Sequence, residues 1–174
     1  MEAIHMEVMP MSSGMENNSR LRVGEIAPDF SLESSEGEMV SLSDFDGQWK
    51  VVFFYALNGS PTCKRGCLNF KEQYSLFRSV DCEIIGISQD PKNDHKEFKE
   101  ENDLPFPILG DPDRSTAKAF GVPMHLGQFP SKSSFVIAPD RTVRHVYDWL
   151  FRPRNHVAKI LAALSDVTEG GRFE

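Results

Sequence analysis

The pattern of apolar and polar positions predicts a chain in which strands alternate with amphipathic helices. Residues 51–55 (Val-Val-Phe-Phe-Tyr) are apolar at every position, as in a strand that is covered on both faces of a sheet. A second strand is expected at 82–88, and shorter ones at 105–109 and 134–138. Because helical patterns separate the first three strands, we expect them to pair in parallel through right-handed crossovers.

Antiparallel hairpins are predicted on both sides of these parallel strands in the sequence. Alternating positions on either side of a turn at 34–37 predict an N-terminal hairpin, and a single helical turn is expected at 43–45. A turn at 139–142 joins the strand at 134–138 to an alternating last strand at 143–149. The patterns together predict an α/β fold, in which a central mixed sheet has flanking helices and an N-terminal hairpin.

Helical periodicity is clearest after the first central strand. The apolar stripe there has intervals of four, three, four and three residues, and it contains Cys63, Cys67, Phe70, Tyr74 and Phe77. Further helices are predicted at about 91–103, at 113–120 and from Asn155, taken as an N-cap, towards the C-terminus. The segment 121–131 contains two prolines and two glycines without a period and is predicted to be a loop.

The first 21 residues show no sustained period and hold five of the seven methionines. We interpret them as a disordered leader, followed by one domain at 22–168 and a flexible tail at 169–174. The leader lacks the apolar core of a secretory signal and is too acidic for a good transit peptide. A cytoplasmic protein is expected, with import into an organelle left open.

Composition narrows the classes of function. A chain of 174 residues is large enough to fold without disulfides or metal, and no apolar stretch approaches the ~20 residues of a membrane helix. The net charge of -7 argues against a nucleic-acid partner. Three cysteines, two of them close together, point to redox or metal chemistry in a reducing compartment.

The junction after the 51–55 strand carries the candidate chemistry. Ser60 is the expected N-cap of the next helix, and Pro61 is its first residue. Cys63 therefore falls in the first turn, where free backbone N–H groups and the helix dipole stabilise a thiolate. Two basic residues follow it directly. These features predict that Cys63 is a nucleophile.

Cys67 lies one helical turn beyond Cys63. Two cysteines at this spacing fall within the Cα separation of a disulfide, about 4.4–6.8 Å, but their Cβ vectors run side by side, so a bond requires the first turn to unwind. Gly66 weakens that turn by about 1 kcal/mol relative to alanine. The sequence favours a helix that opens on oxidation. The alternative for Cys67 is a buried thiol of the core, and this is the favoured interpretation of Cys82.

Seven segments, in order and spacing, resemble the peroxiredoxins, and among them the peroxiredoxin Q or bacterioferritin comigratory subgroup. They are Ala27-Pro-Asp-Phe, Leu42-Ser-Asp-Phe, Phe54-Tyr-Ala-Leu-Asn-Gly-Ser-Pro-Thr-Cys63, Gly86-Ile-Ser-Gln-Asp, His95-Lys-Glu-Phe, Leu104-Pro-Phe-Pro-Ile-Leu and Ala119-Phe-Gly-Val. The likeness implies a thioredoxin-like fold. It also implies that a Cys63 thiolate reduces hydrogen peroxide or small organic hydroperoxides and becomes a sulfenic acid, without metal or organic cofactor.

The same resemblance implies a dithiol reductant such as thioredoxin, and we expect a monomer or weak dimer.

Some positions depart from the family pattern. Ala56 stands where the family has proline, and Lys132 stands where it has an arginine that orients substrate, whereas Ser60 matches a family Thr or Ser. Lysine supplies charge but not the planar fork of arginine. The subgroup's second cysteine lies five residues on, so a resolving role for Cys67 is inferred from proximity alone.

Two other functions stay open at this stage. The spacing of Cys63 and Cys67 also resembles the copper-chaperone branch of the thioredoxin-like proteins, with His125 as a conceivable third ligand. A non-catalytic redox sensor on the same fold is the other. His95, His125 and His145 share no metal-binding spacing, and we interpret them as surface or strand residues.

Overall fold

A five-stranded mixed sheet organises the computed structural model, which describes residues 20–125, 129–148 and 153–172. The strands in chain order are β1 (Ser31–Glu33), β2 (Met39–Ser41), β3 (Trp49–Phe54), β4 (Cys82–Ser88), β5 (Ile108–Gly110), β6 (Met124–His125), β7 (Phe129–Pro130), β8 (Ser133–Ile137) and β9 (Val143–Asp148). The sheet order is β5-β4-β3-β8-β9. Strands β3, β4 and β5 are parallel, and β8 is antiparallel to both of its neighbours, which confirms the predicted mixed sheet.

The N-terminal hairpin is also confirmed, since β1 pairs antiparallel with β2. The predicted helical turn after it is a 3-10 turn at Leu42–Phe45. The segment 121–131, predicted to be a loop, instead pairs β6 with β7. Strands of two residues are too short to show a period in the sequence.

The helices are α1 (Pro61–Glu72), α2 (Tyr74–Ser79), α3 (Lys92–Asn102), α4 (Ser115–Ala119) and α5 (Pro153–Arg172). The single helix predicted through Phe77 is thus two, because Gln73, with φ −101° and ψ 6°, leaves helical geometry. Asn155 lies inside the first turn of α5 and does not cap it, since Pro153 begins the helix. The same helix runs past residue 169, the predicted start of a tail, because each added residue gains a backbone hydrogen bond.

The core consists of two layers, one on each face of the sheet. Alternate residues of β3 divide between them: Val51 and Phe53 pack under α1, α2, α3 and α5, whereas Val52 and Phe54 pack against α4 and the N-terminal segment. All four side chains are buried. This is the double-sided burial that the apolar run predicts.

The described chain already contacts the domain at residue 20, slightly before the predicted boundary at 22. The Arg20 guanidinium binds the Asp148 carboxylate and the Ser133 hydroxyl. The backbone N–H of Leu21 donates to the carbonyl of Phe120 at 3.0 Å. Among the described residues, no helix combines the length and the apolar character needed to cross a membrane.

Candidate active site

The junction between β3 and α1 has the predicted geometry. Ser60 is extended (φ −76°, ψ 126°), Pro61 is the first residue of α1, and the Ser60 hydroxyl accepts from the backbone N–H of Cys63 at 3.4 Å. The N-cap prediction is therefore confirmed. Cys63 lies in the first turn, at the positive end of the helix dipole.

Cys63 is a free cysteine with no solvent exposure. The next two side chains, Lys64 and Arg65, are exposed on the outer surface of α1. Their charges are screened by water, so the backbone N–H groups at the helix start provide the closer stabilisation of a sulfur anion.

Cys67 lies one turn further along α1 and is also fully buried as a free thiol. Burial, and then the nearby charge of Cys63, raise the pKa of the Cys67 thiol well above its usual range. It therefore stays protonated while α1 is intact. The two cysteines share one apolar cluster with Phe53 and Phe70.

Cys82 lies far from this junction. It pairs with Trp49 at the start of β3, about 17 Å along the strand from Phe54 at its end. Burial raises the pKa of the Cys82 thiol, and its Sγ lies 3.5 Å from the carbonyl oxygen of Glu83. The position fits the interpretation that Cys82 packs in the core.

Lys132 lies at the same edge of the sheet as the junction. It precedes Ser133, which pairs with Phe54, the last residue of β3. Its side chain is half-buried. The register thus brings Lys132 to the side of the sheet where the chain leaves β3 for α1.

A network of buried and half-buried polar groups under the junction was not predicted. The Tyr55 hydroxyl donates to Oδ1 of Asn58 at 2.7 Å, the Asn58 backbone N–H donates to the Asp90 carboxylate at 2.5 Å, and Nδ2 of Asn58 lies 3.3 Å from Nδ1 of His95. His95 has no solvent exposure, so its interpretation as a surface or strand residue is wrong. It lies on α3, with Phe98 three residues on facing the same core, a spacing that could have indicated a buried side chain.

His145 is not grouped with other possible metal ligands in the described part of the chain. His145 lies on β9, where its ring stacks on Tyr147, and the His125 side chain lies outside the described residues. Within the described ranges, no three His, Cys, Asp or Glu side chains are grouped to hold a metal ion.

A cavity of about 610 Å³ separates the far half of α1 from α5. It begins at Asn69, roughly 9 Å along the helix axis from Cys63. Neither Cys63 nor Cys67 lines it. The candidate chemistry therefore belongs to the closed junction and not to this cavity.

Comparison with known proteins places these features in context. Residues 23–146 match the model of the AhpC/TSA family. The chain is 36% identical over 145 residues to a chloroplastic peroxiredoxin Q of Oryza sativa subsp. japonica. These residues are 83% of this chain and 67% of the relative. It is 33% identical over 156 residues to peroxiredoxin Bcp of Bacillus subtilis, and the match covers 86% of this chain and 98% of that relative.

A solved structure agrees with these matches. The crystal structure of peroxidoxin BcpB from Mycobacterium tuberculosis superposes with a TM-score of 0.79 at 30% identity, over 85% of this chain and 99% of that one. The mixed sheet with flanking helices is thus the thioredoxin-like fold that such proteins share.

Proposed function

The chain belongs to the AhpC/TSA family of peroxiredoxins and is a thiol-dependent peroxidase, and from that premise we propose that Cys63 is its peroxidatic cysteine. One observation carries this assignment: Cys63 is the thiol at the first turn of α1, with its backbone N–H bonded to the Ser60 cap. The Cys63 thiolate attacks one peroxide oxygen, the O–O bond breaks, and the other oxygen leaves as water or an alcohol after taking up a proton. Cys63 becomes a sulfenic acid.

Ser60 and Lys132 are the proposed partners of the peroxide. The Ser60 hydroxyl lies beside the backbone of Cys63 and can donate to a peroxide oxygen as the negative charge moves onto it. Lys132 lies at the same sheet edge through the pairing of Ser133 with Phe54. An ammonium there favours the oxygen anion that leaves, although it lacks the two-pronged geometry of arginine.

Cys67 is the proposed resolving cysteine. Its sulfur attacks the sulfenic sulfur of Cys63, a disulfide forms, and the sulfenic oxygen leaves as water with the thiol proton. Burial raises the pKa of Cys67 while α1 is intact, so resolution needs the first turn to open and admit water. Gly66, which lies between the two cysteines, lowers the free-energy cost of opening.

The substrates follow from this chemistry. Hydrogen peroxide and small organic hydroperoxides are the proposed oxidants, and a dithiol protein of the thioredoxin type reduces the disulfide by exchange. We also propose a monomer or weak dimer. Its support is that the large exposed apolar side chains of the described residues are scattered over separate segments, namely Val23, Ile26, Met39, Leu57 and Leu76.

Peroxide consumption with thioredoxin and its reductase tests these roles. Cys63→Ser should abolish turnover, and Cys67→Ser should stop recycling after about one equivalent of peroxide per chain. Cys82→Ser is the matched control, because this buried thiol lies far from the junction, and it should keep its rate. Full turnover by Cys63→Ser would overturn the assignment.

A further inference from the structure

We propose that Asn58 is a positioning residue that latches the loop before Cys63 and so sets how fast α1 opens for the disulfide with Cys67. The inference rests on the proposed function, in which Cys67 resolves the Cys63 sulfenic acid. It names the group that controls that step.

Asn58 joins the loop to elements on both sides of it. Its Oδ1 accepts from the Tyr55 hydroxyl at the end of β3, and its backbone N–H donates to Asp90, which follows β4. Its Nδ2 lies 3.3 Å from Nδ1 of His95 on α3. Its neighbours Leu57 and Gly59 are exposed, whereas Asn58 is half-buried.

The anchors of Asn58 are themselves held. The Asp90 carboxylate accepts from the Ser88 hydroxyl at 3.2 Å, and the Asp90 backbone N–H donates back to that hydroxyl at 3.2 Å. Tyr55 and His95 have no solvent exposure. The backbone N–H of Tyr55 also donates to the Ile87 carbonyl at 3.1 Å, so the groups that Asn58 contacts have hydrogen bonds of their own outside the loop.

The latch is next to the reacting sulfurs. Tyr55 shares an apolar cluster with Cys63 and Cys67. Burial is the main cause that raises the pKa of the Tyr55 hydroxyl, so this hydroxyl keeps its proton and donates a hydrogen bond to Oδ1 of Asn58. Unwinding the first turn of α1 displaces Ser60 and the loop that leads to it. The hydrogen bonds of Asn58 oppose that displacement.

Two reactions compete for the Cys63 sulfenic acid. Attack by Cys67 gives the disulfide and water, whereas a second peroxide gives the sulfinic acid and water or an alcohol. A closed latch delays the first reaction and lengthens the life of the sulfenic acid. Weakening the latch therefore shifts the products towards the disulfide.

The test follows the two products separately. Asn58→Ala and Tyr55→Phe, which removes only the hydroxyl donor, are mixed with excess hydrogen peroxide, acid-quenched at intervals and mapped by peptide mass. We expect disulfide formation to be about two- to tenfold faster than in the parent chain, with a smaller sulfinic fraction and no rise in the rate of sulfenic acid formation.

Asn102→Ala is the matched control, because it removes an amide that bonds to the Phe98 carbonyl at the far end of α3. It should leave both rates as they are. Unchanged or slower disulfide formation in both Asn58→Ala and Tyr55→Phe would overturn the latch while leaving the proposed function intact. A parent chain that forms no Cys63–Cys67 disulfide would overturn the proposed function, and the latch with it.

Discussion

Cys63 and Cys67 are one helical turn apart, and both side chains are fully buried. Cys63 lies at the helix start, where its backbone N–H donates to the Ser60 hydroxyl, whereas burial raises the pKa of Cys67. Burial thus disfavours a sulfur anion at Cys67, whereas Cys63 lies at the positive end of the helix dipole. This difference supports the separate roles that we propose for the two cysteines in one peroxidase cycle.

His156 makes folding stability depend on pH. It is buried on α5, its Nε2 lies 2.7 Å from the Ser134 hydroxyl, and burial lowers its pKa to about 3. The unfolded chain, with an ordinary histidine pKa near 6.5, binds the proton more readily. Stability from this group is therefore complete above about pH 6.5 and is lost as the pH falls towards 3, by up to about 1.4 kcal/mol per pH unit.

Urea unfolding between pH 7 and pH 5 checks this prediction. His156→Gln should lower the slope of the unfolding free energy against pH by up to about 1.4 kcal/mol per pH unit, which corresponds to one bound proton. His95, whose pKa burial also lowers, should account for part of the slope that remains. His145→Gln, on the edge strand β9, is the control and should keep the steeper slope. Equal slopes in His156→Gln and the parent chain would contradict the account.

Lys132 gives a second prediction at this scale. Lys132→Ala should lower the second-order rate of Cys63 oxidation by about tenfold, because a charged partner of the leaving oxygen is lost, and Lys132→Arg should restore or exceed the parent rate. Stopped-flow oxidation by hydrogen peroxide measures both. Lys118→Ala, exposed on α4, serves as the control. A rate for Lys132→Ala equal to that of the control would remove Lys132 from the site.

At the scale of elements, the sequence pattern predicts the structure correctly where all the residues that determine an element lie in one segment. The apolar run of β3, the hairpin of β1 and β2 and the Ser60 cap follow from neighbouring residues. The hydrogen bond of Asn58 to Asp90 does not, because the two residues are 32 positions apart in the chain. Their contact depends on the parallel pairing of β3 with β4, and no local period reports it.

Gly86 shows how the sheet supports α1. A Cβ at this position would lie 2.8 Å from Cζ of Phe53 and 2.9 Å from Cδ1 of Ile108, and the Phe53 ring stacks on Phe70 of α1 at 4.7 Å. Gly86→Ala should therefore lower the free energy of unfolding by about 1–3 kcal/mol, measured in urea. Gly59→Ala, which meets open space, should change it little. A stable Gly86→Ala would show that Phe53 can move aside.

At the scale of the whole molecule, the strand order places the candidate site residues at one edge of the sheet. The parallel strands β3 and β4 end there, and the antiparallel β8 begins there. Cys63, Asp90 and Lys132 are separated in sequence but follow or precede those strand ends. The fold class and the position of Cys63 in the first turn of α1 could be predicted from the sequence, whereas the burial of His95 depends on contacts between distant segments.

The extent of the domain gives a prediction at this scale. A chain that starts at residue 20 keeps the bonds of Arg20 to Asp148 and Ser133 and that of Leu21 to Phe120, whereas one that starts at 23 loses them. We expect the shorter chain to melt lower, by about 2–4 °C for each kcal/mol lost. Thermal unfolding of the two chains measures the difference. Equal melting temperatures would place the boundary at 22, as the sequence pattern had it.

Peptide mass mapping after one equivalent of hydrogen peroxide tests the central claim most directly. The account predicts that Cys63 and Cys67 are recovered as one disulfide-linked pair, with Cys82 still a free thiol. Recovery of Cys63 as an unmodified thiol, with the oxidation on Cys82, would contradict it.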